Sequence, residues 1–286
     1  MDFTKESVLA ETTRIAKDSE KLCNVENLKK ILSLIDLTTL NTTDTNGKVI
    51  DLCNKVNSFA SHFPGYQNVA AICVFPSFVG LVKKTLTTKN INIASVVGGF
   101  PSSQTFISVK LAETSIAVEK GADEVDMVIS VGKFLEKDYQ QVSDEVALIK
   151  AAAGKAHVKV ILETGALPNY NDIYVASMLA MEAGADFIKT STGKMEPAAT
   201  PEAVYVMTKA MKEYYEKTKR MVGIKPAGGV VTPAQALVHF AIVKEVLGEA
   251  WLTPQWFRLG ASRLANNLLS KVAEIETGKT IDINYF

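Results

Sequence analysis

Two lysines stand where a buried strand would be expected to carry another branched apolar residue. Lys189 ends Phe187-Ile188-Lys189, between Gly184-Ala185-Asp186 and the loop Thr190-Ser191-Thr192-Gly193-Lys194, and Lys225 ends Gly223-Ile224-Lys225 ahead of Pro226. An ammonium withdrawn from water is costly, so a buried lysine tends to shed its proton. The neutral amine attacks carbonyl carbons and can form a Schiff base. A second cation nearby lowers the first one's proton affinity, and Lys225 is placed to do this for Lys189. Asp126 lies within the equally apolar Glu124-Val125-Asp126-Met127-Val128. It can pair with one of the lysines, move a proton beside a Schiff base, or do both. Asp36, in Ile35-Asp36-Leu37-Thr38-Thr39-Leu40, can bind a substrate hydroxyl or a lysine, or cap the loop that follows.

Three small-residue stretches suggest a partner chemistry, the binding of an anion. Ser191-Thr192-Gly193-Lys194, Ala227-Gly228-Gly229 and Gly260-Ala261-Ser262 each follow an apolar run. Glycines let backbone N–H groups approach an anion, and barrels often hold phosphate in the loops after strands seven and eight. Lys194 would add a point charge. Gly193-Lys194 is not a P-loop, because Met195 replaces the Ser/Thr and Ile188 the first glycine. Two further residues have a bland and a functional reading. Cys73, in Ile72-Cys73-Val74-Phe75, is either a buried inert thiol or reaches the pocket. Tyr285 ends a tail over 280–286 that is either disordered or folds over the pocket to supply a phenol.

The elements that must position these groups alternate along the chain. Short apolar runs lie at 31–37, 69–75, 91–97, 124–130, 157–163, 186–191, 221–226 and 256–261. Helical patterns lie at 44–60, 76–88, 104–120, 134–153, 170–183, 201–218, 233–247 and 261–276. Strands alternating with helices imply a parallel sheet. Eight near-equal units predict an α/β fold, a single (β/α)8 TIM barrel over 31–279, with a helical extension over 1–30 and a tail over 280–286. The alternative, a doubly wound sheet, lacks a GxGxxG after the first strand. Thr200-Pro201 and Thr232-Pro233-Ala234-Gln235 read as helix N-caps, the second with a capping box. Gly121-Ala122-Asp123 and Gly184-Ala185-Asp186 form a faint repeat that puts Asp126 and Lys189 in the same register, five residues past their glycines.

Composition excludes several function classes. The 286 residues are 47% hydrophobic and 22% charged with zero net charge, so no nucleic-acid or anionic-membrane partner is expected. No apolar run reaches the ~18 residues needed to span a bilayer, and Met1 to Glu6 has no signal-peptide core. Cys23, Cys53 and Cys73 form no CxxC pair, which suggests a reducing cytoplasm. His62, His157 and His239 are scattered, so no metal site is expected, and there is no GxSxG of a serine hydrolase.

On these residues the chain resembles the deoxyribose-phosphate aldolase family, Schiff-base aldolases built on a (β/α)8 barrel. The resemblance runs from Asp36-Leu37-Thr38-Thr39-Leu40 through Ile72–Pro76, Glu124–Val128 and Phe187–Lys194 to Gly223–Gly229 and Phe257–Ser262. It implies that Lys189 is the Schiff-base lysine, Lys225 the lysine that perturbs it, and Asp126 the proton-relay acid. It further implies that Gly193, Lys194, Gly228, Gly229, Gly260 and Ser262 bind phosphate and substrate together with Thr190 and Thr192. Asp36 and Thr38 fall near the second lysine and the sugar hydroxyls. The implied reaction is reversible cleavage of 2-deoxy-D-ribose 5-phosphate to glyceraldehyde 3-phosphate and acetaldehyde. It needs no cofactor, belongs to deoxyribonucleotide catabolism, and would be run by a cytoplasmic homodimer. Arg263 departs from the family, many of whose members carry a second hydroxyl residue there, and so do Val230-Val231 and the stretch Val96-Val97-Gly98-Gly99-Phe100-Pro101. Another Schiff-base phosphosugar aldolase or transaldolase, or a non-catalytic phosphosugar-binding barrel, are the competing readings.

Overall fold

In the computed structural model, which describes residues 3–286, helices α1 (Lys5–Ser19) and α2 (Val25–Leu32) precede strand β1 (Ile35–Thr38). Next come α3 (Asn46–His62), β2 (Ala71–Val74), α4 (Val79–Thr85), β3 (Asn92–Val97), α5 (Ile107–Glu119) and β4 (Glu124–Val128). The chain continues through α6 (Val131–Leu135), α7 (Tyr139–Ala153), β5 (His157–Ile161), α8 (Tyr170–Glu182) and β6 (Phe187–Lys189). It ends with α9 (Pro201–Thr218), β7 (Gly223–Lys225), α10 (Pro233–Leu247), β8 (Leu259–Ala261) and α11 (Arg263–Thr277).

The eight strands pair in parallel in the order β7-β6-β5-β4-β3-β2-β1-β8. The two ends meet through bridges Ile224↔Phe257 and Ala227↔Gly260, which close the barrel. Along that seam Ile224 N donates to Trp256 O at 2.8 Å and Arg258 N to Ile224 O at 2.9 Å. Because successive side chains on a strand face opposite ways, one set lies under the helices. Ile35, Leu37, Ile72, Val74, Val125, Met127, Val158, Val160, Ile188 and Ile224 join the helix-facing core. The other set, with Asp36, Asp126, Lys189 and Lys225, points into the barrel.

The joints between helix and strand use the chemistry legible in the sequence. Gly121 and Gly184 take φ values of +108° and +104°, which suits glycine. Ala122 N returns to Ala117 O at 3.1 Å and Ala185 N to Ala180 O at 3.0 Å, the same helix-ending bond twice. Each following aspartate then clamps the neighbouring strand. Asp123 Oδ2 accepts from Ile93 N at 2.9 Å, and Asp186 Oδ2 from Val158 N at 2.8 Å. Thr200 and Thr232 cap α9 and α10, the latter with the full capping box through Gln235.

Three local expectations are corrected. The run 31–37 is not all strand, since Ile31 and Leu32 close α2 and bury its apolar face, and the strand starts at Ile35. The pattern over 134–153 is two helices. Lys137 at φ +63° breaks it, and Asp138 caps α7 by accepting from Gln141 N. The pattern over 76–88 opens as a tight 3-10 turn over Pro76–Phe78 before α4. In the expected N-terminal extension, residues 1 and 2 lie outside the described residues. Val8, Thr12 and Ile15 form the buried face of α1, which packs against α9 and α10. Among the described residues no helix is long and apolar enough to cross a membrane.

Candidate active site

Inside the barrel, ionisable side chains from six strand positions meet in a closed ring. Lys225 Nζ, on β7, lies 2.7 Å from Asp126 Oδ2 and 2.5 Å from Asp36 Oδ2. Arg258, just ahead of β8, donates to Asp36 Oδ1 at 2.6 Å and to Glu124 Oε1 at 2.8 Å. Lys159, on β5, lies 2.5 Å from Glu124 Oε2 and 2.9 Å from Asp126 Oδ1, which returns the ring to its start. Acids and bases alternate all the way round, so three carboxylates balance three cations. Lys189, on β6, hangs from this ring by one bond, donating to Asp126 Oδ2 at 2.8 Å. It is paired laterally with Lys225 across the β6–β7 ladder.

Burial decides how these groups hold their protons. All seven side chains are nearly or fully withdrawn from solvent. Burial alone would raise the pKa of Asp126, but Lys159, Lys189 and Lys225 overcome it and hold the carboxyl well below its usual range. Asp36 is lowered in the same way, burial being overcome by Lys225, Arg258 and Lys159. Lys225 and Lys159 are raised, because their carboxylate partners outweigh burial. Lys189 alone among these three lysines goes down: burial is the largest influence, Asp126 opposes it, and Lys225 reinforces it. Lys225 therefore contributes to the lowering, while withdrawal from water contributes more.

A cavity of about 200 Å³ lies over Lys189, walled by Thr38, Thr192, Gly193, Lys194, Gly228, Gly229, Gly260, Ser262 and Arg263. Its loops are tied to one another. Thr192 donates through N and Oγ1 to Glu163 at 3.1 and 2.6 Å. Thr190 Oγ1 donates to Ala227 O at 3.2 Å and accepts from Ala227 N at 3.0 Å. Lys194 Nζ donates to Leu40 O, joining the loop after β6 to that after β1. At Gly228, φ is +86° and a Cβ would stand 2.6 Å from that of Ala198, so only glycine lets the two loops touch. At Gly260 a Cβ would stand 3.1 Å from Lys225 Cε, so glycine leaves room for that lysine's stem. Ser262 leaves the N-terminus of α11 without a side-chain cap, and this positive helix end opens on the cavity beside Arg263.

A family model for DeoC/LacD family aldolases matches residues 30–253. A Caenorhabditis elegans relative is 42% identical over 270 residues, 94% of this chain and 89% of its own length. The chain belongs to the DeoC/LacD family of aldolases. Human deoxyribose-phosphate aldolase is 40% identical over 263 residues, covering 88% of this DeoC/LacD family chain and 82% of the human one. The tetrameric deoxyribose-phosphate aldolase of Aeropyrum pernix shares the fold, with a TM-score of 0.66 at 24% identity over 93% of this chain and 98% of that one.

In this DeoC/LacD family aldolase the residues singled out from sequence fall into three places. Lys189, Thr38, Thr192, Gly193, Lys194, Gly228, Gly229, Gly260 and Ser262 line the cavity. Asp126, Lys225, Asp36, Thr190 and Cys73 are buried beneath or beside it, with burial pushing the Cys73 thiol up. Tyr285 lies elsewhere. Its ring packs against Phe63 and Phe59, and its hydroxyl donates to Lys55 O at 2.6 Å on α3. Asn266 on α11 holds the tail there, accepting from Tyr285 N at 3.0 Å and Phe286 N at 2.8 Å. The aromatic cluster and the acceptor on α3 hold Tyr285 away from Lys189, while Asn284 and Phe286 of the tail border a second cavity that shares Thr38, Ser262 and Arg263 with the first. The sequence reading missed Lys159, Glu124, Arg258 and Glu163. Each had one available signal, a charged residue at an inward strand position (Lys159, Glu124) or within two residues of a strand end (Arg258, Glu163). Among the described residues no group of three or more His, Cys, Asp and Glu is placed to hold a metal ion.

Proposed function

We infer that this chain reversibly cleaves 2-deoxy-D-ribose 5-phosphate to glyceraldehyde 3-phosphate and acetaldehyde through a Schiff base on Lys189. The observation that carries this reading is a single lysine with lowered proton affinity, bonded to Asp126 and opening into a glycine-walled, electropositive cavity. The names of its relatives support the same substrate.

Lys189 attacks C1 of the open-chain aldehyde, and the carbinolamine loses water to give an iminium. Asp126, held ionised by its lysines, accepts the C3 hydroxyl proton through a water molecule. The C2–C3 bond breaks, its electrons pass into the iminium, and glyceraldehyde 3-phosphate leaves from an enamine. Protonation at C2 and hydrolysis release acetaldehyde and restore the amine. The phosphate rests against the backbone of Gly193, Gly228 and Gly229, the open end of α11 and the charges of Lys194 and Arg263. Thr38 approaches the sugar hydroxyls, and Asp36 acts from beneath through Lys225.

Borohydride reduction in the presence of the substrate tests this directly. A stable mass increase mapping to Lys189 is expected, and its absence would remove the Schiff-base reading. We further propose that the reaction serves deoxyribonucleotide breakdown. The unpaired thiols of Cys23, Cys53 and Cys73 fit a reducing compartment such as the cytoplasm. A homodimer is the smallest assembly expected, and the solution mass by light scattering checks it.

A further inference from the structure

None of the six ring members lines the substrate cavity, and three of them, Lys159, Glu124 and Arg258, lie further from Lys189 than its neighbours Asp126 and Lys225. Arg258 instead borders a separate cavity of about 590 Å³ at the opposite mouth of the barrel, together with Asn92 and His157. Asn92 Nδ2 donates to Glu124 Oε1 at 2.6 Å, which fixes that carboxylate from the same side. These groups are too far down the barrel to bind what Lys189 binds. Lining a barrel with six buried charges is nonetheless expensive, because each ion gives up its hydration, and apolar side chains of similar volume often serve stability as well or better. A structural filler would be apolar.

We propose that Lys159, Glu124 and Arg258 are positioning residues that keep Lys189 a neutral amine by charge parity. The reasoning is a count. Asp126, Asp36 and Glu124 carry three negative charges, and Lys225, Arg258 and Lys159 carry three positive ones, each in contact with two opposites. The ring is therefore neutral and saturated without Lys189. A proton on Lys189 would be a fourth cation in a buried site with no uncompensated acid to receive it, and such a charge is strongly disfavoured. The groups facing Lys189 are Asp126 from β4, Lys225 from β7 and the neutral thiol of Cys73 from β2. Lys194 and Arg263 share the cavity, and Asp36, Lys159, Glu124 and Arg258 lie one contact further round. Removing one cation from the ring leaves an unmatched carboxylate, and Lys189 then takes up a proton to match it. Removing one acid has the opposite effect.

This inference rests on the Schiff-base reading for its consequence, though its test does not. Competitive acetylation with acetic anhydride, read at Lys189 by peptide mass across pH, reports the protonation of that amine directly. Lys159→Met should move the Lys189 titration to higher pH by a unit or more, with about a tenfold loss of neutral-pH reactivity per unit. Glu124→Gln should move it to lower pH. The double variant Lys159→Met with Glu124→Gln restores parity and should return it to the position of the unaltered protein. Should Lys159→Met fail to fold, Glu124→Gln and the double variant still decide the matter. Titrations that stay in place, move together, or are not restored in the double variant would overturn the inference. Trapping with acetaldehyde and borohydride in parallel separates the two claims. No adduct on the unaltered protein defeats the Schiff-base reading alone, whereas normal trapping with unmoved titrations defeats parity alone.

Discussion

On one side of the barrel interior, β4 to β8 and β1 present carboxylates and cations in mutual contact. On the other, β2 and β3 present Ala71, Cys73, Ala94 and Val96, joined at the top by Leu40, Phe75 and Phe100. Both sides occupy the same kind of position, the inward face of a parallel strand. The charged side satisfies every ion with neighbours, so it needs no water. The apolar side offers none. Lys189 reaches into the boundary between them, with one carboxylate for a partner and a dry wall near its amine. On the proposed reading both halves make the nucleophile, one by setting the charge count and the other by limiting solvation.

The comparison can be broken first at the nucleophile. Lys189→Ala should reduce acetaldehyde release to the uncatalysed background, and any substantial residual turnover would move the chemistry to another residue. Asp126→Asn comes next. It should cost about 10²- to 10⁴-fold in kcat and, because Lys159, Lys189 and Lys225 lose their shared partner, about 3–5 kcal/mol of stability in denaturant melts. A variant with normal stability would show that the ring is not a connected unit.

Acid titration sharpens the contrast between paired and unpaired burial. His239, on α10, is buried with Nδ1 unpartnered, and burial lowers its pKa to about 4. The unfolded chain binds that proton from about pH 6.5 downward, so stability should begin to decline there and the decline attributable to His239 should end near pH 4. Asp36, Glu124 and Asp126 are also lowered in the folded chain. Their contribution is complete above the ordinary carboxylate range near 4 and is lost as pH falls further, so the slope should steepen there. His239→Gln should flatten the first stage and leave the second, as read from denaturant midpoints against pH. The smallest effect belongs to the apolar side. Cys73→Ser puts a hydroxyl among apolar neighbours and should cost about 1–3 kcal/mol, with the pH dependence of turnover unmoved. A shifted pH limb would make the thiol part of the proton chemistry.

The barrel was legible because eight apolar runs alternate with helical patterns and because caps such as Thr232 with Gln235 spell their own geometry. Lys189, Lys225 and Asp126 stood out because each interrupts an apolar run. Lys159 did not, because His157-Val158-Lys159-Val160 alternates and reads as a strand with one wet face, whereas in a closed barrel that face is the interior. Arg258 was hidden for a related reason. It precedes a strand of only three residues and is drawn inward by Asp36 and Glu124, which come from other parts of the chain. Tyr285 was left open between two readings because nothing local announces the aromatic cluster on α3 that receives it.

The paired Gly-Ala-Asp joints carry a consequence for how such a molecule can change. Each fixes a helix end and fastens the adjacent strand, then releases the chain three residues before the inward side chain that matters. One joint delivers Asp126 and the other delivers Lys189. The lower rim thus serves as a common chassis, and what is mounted above it can be exchanged without rebuilding the mount.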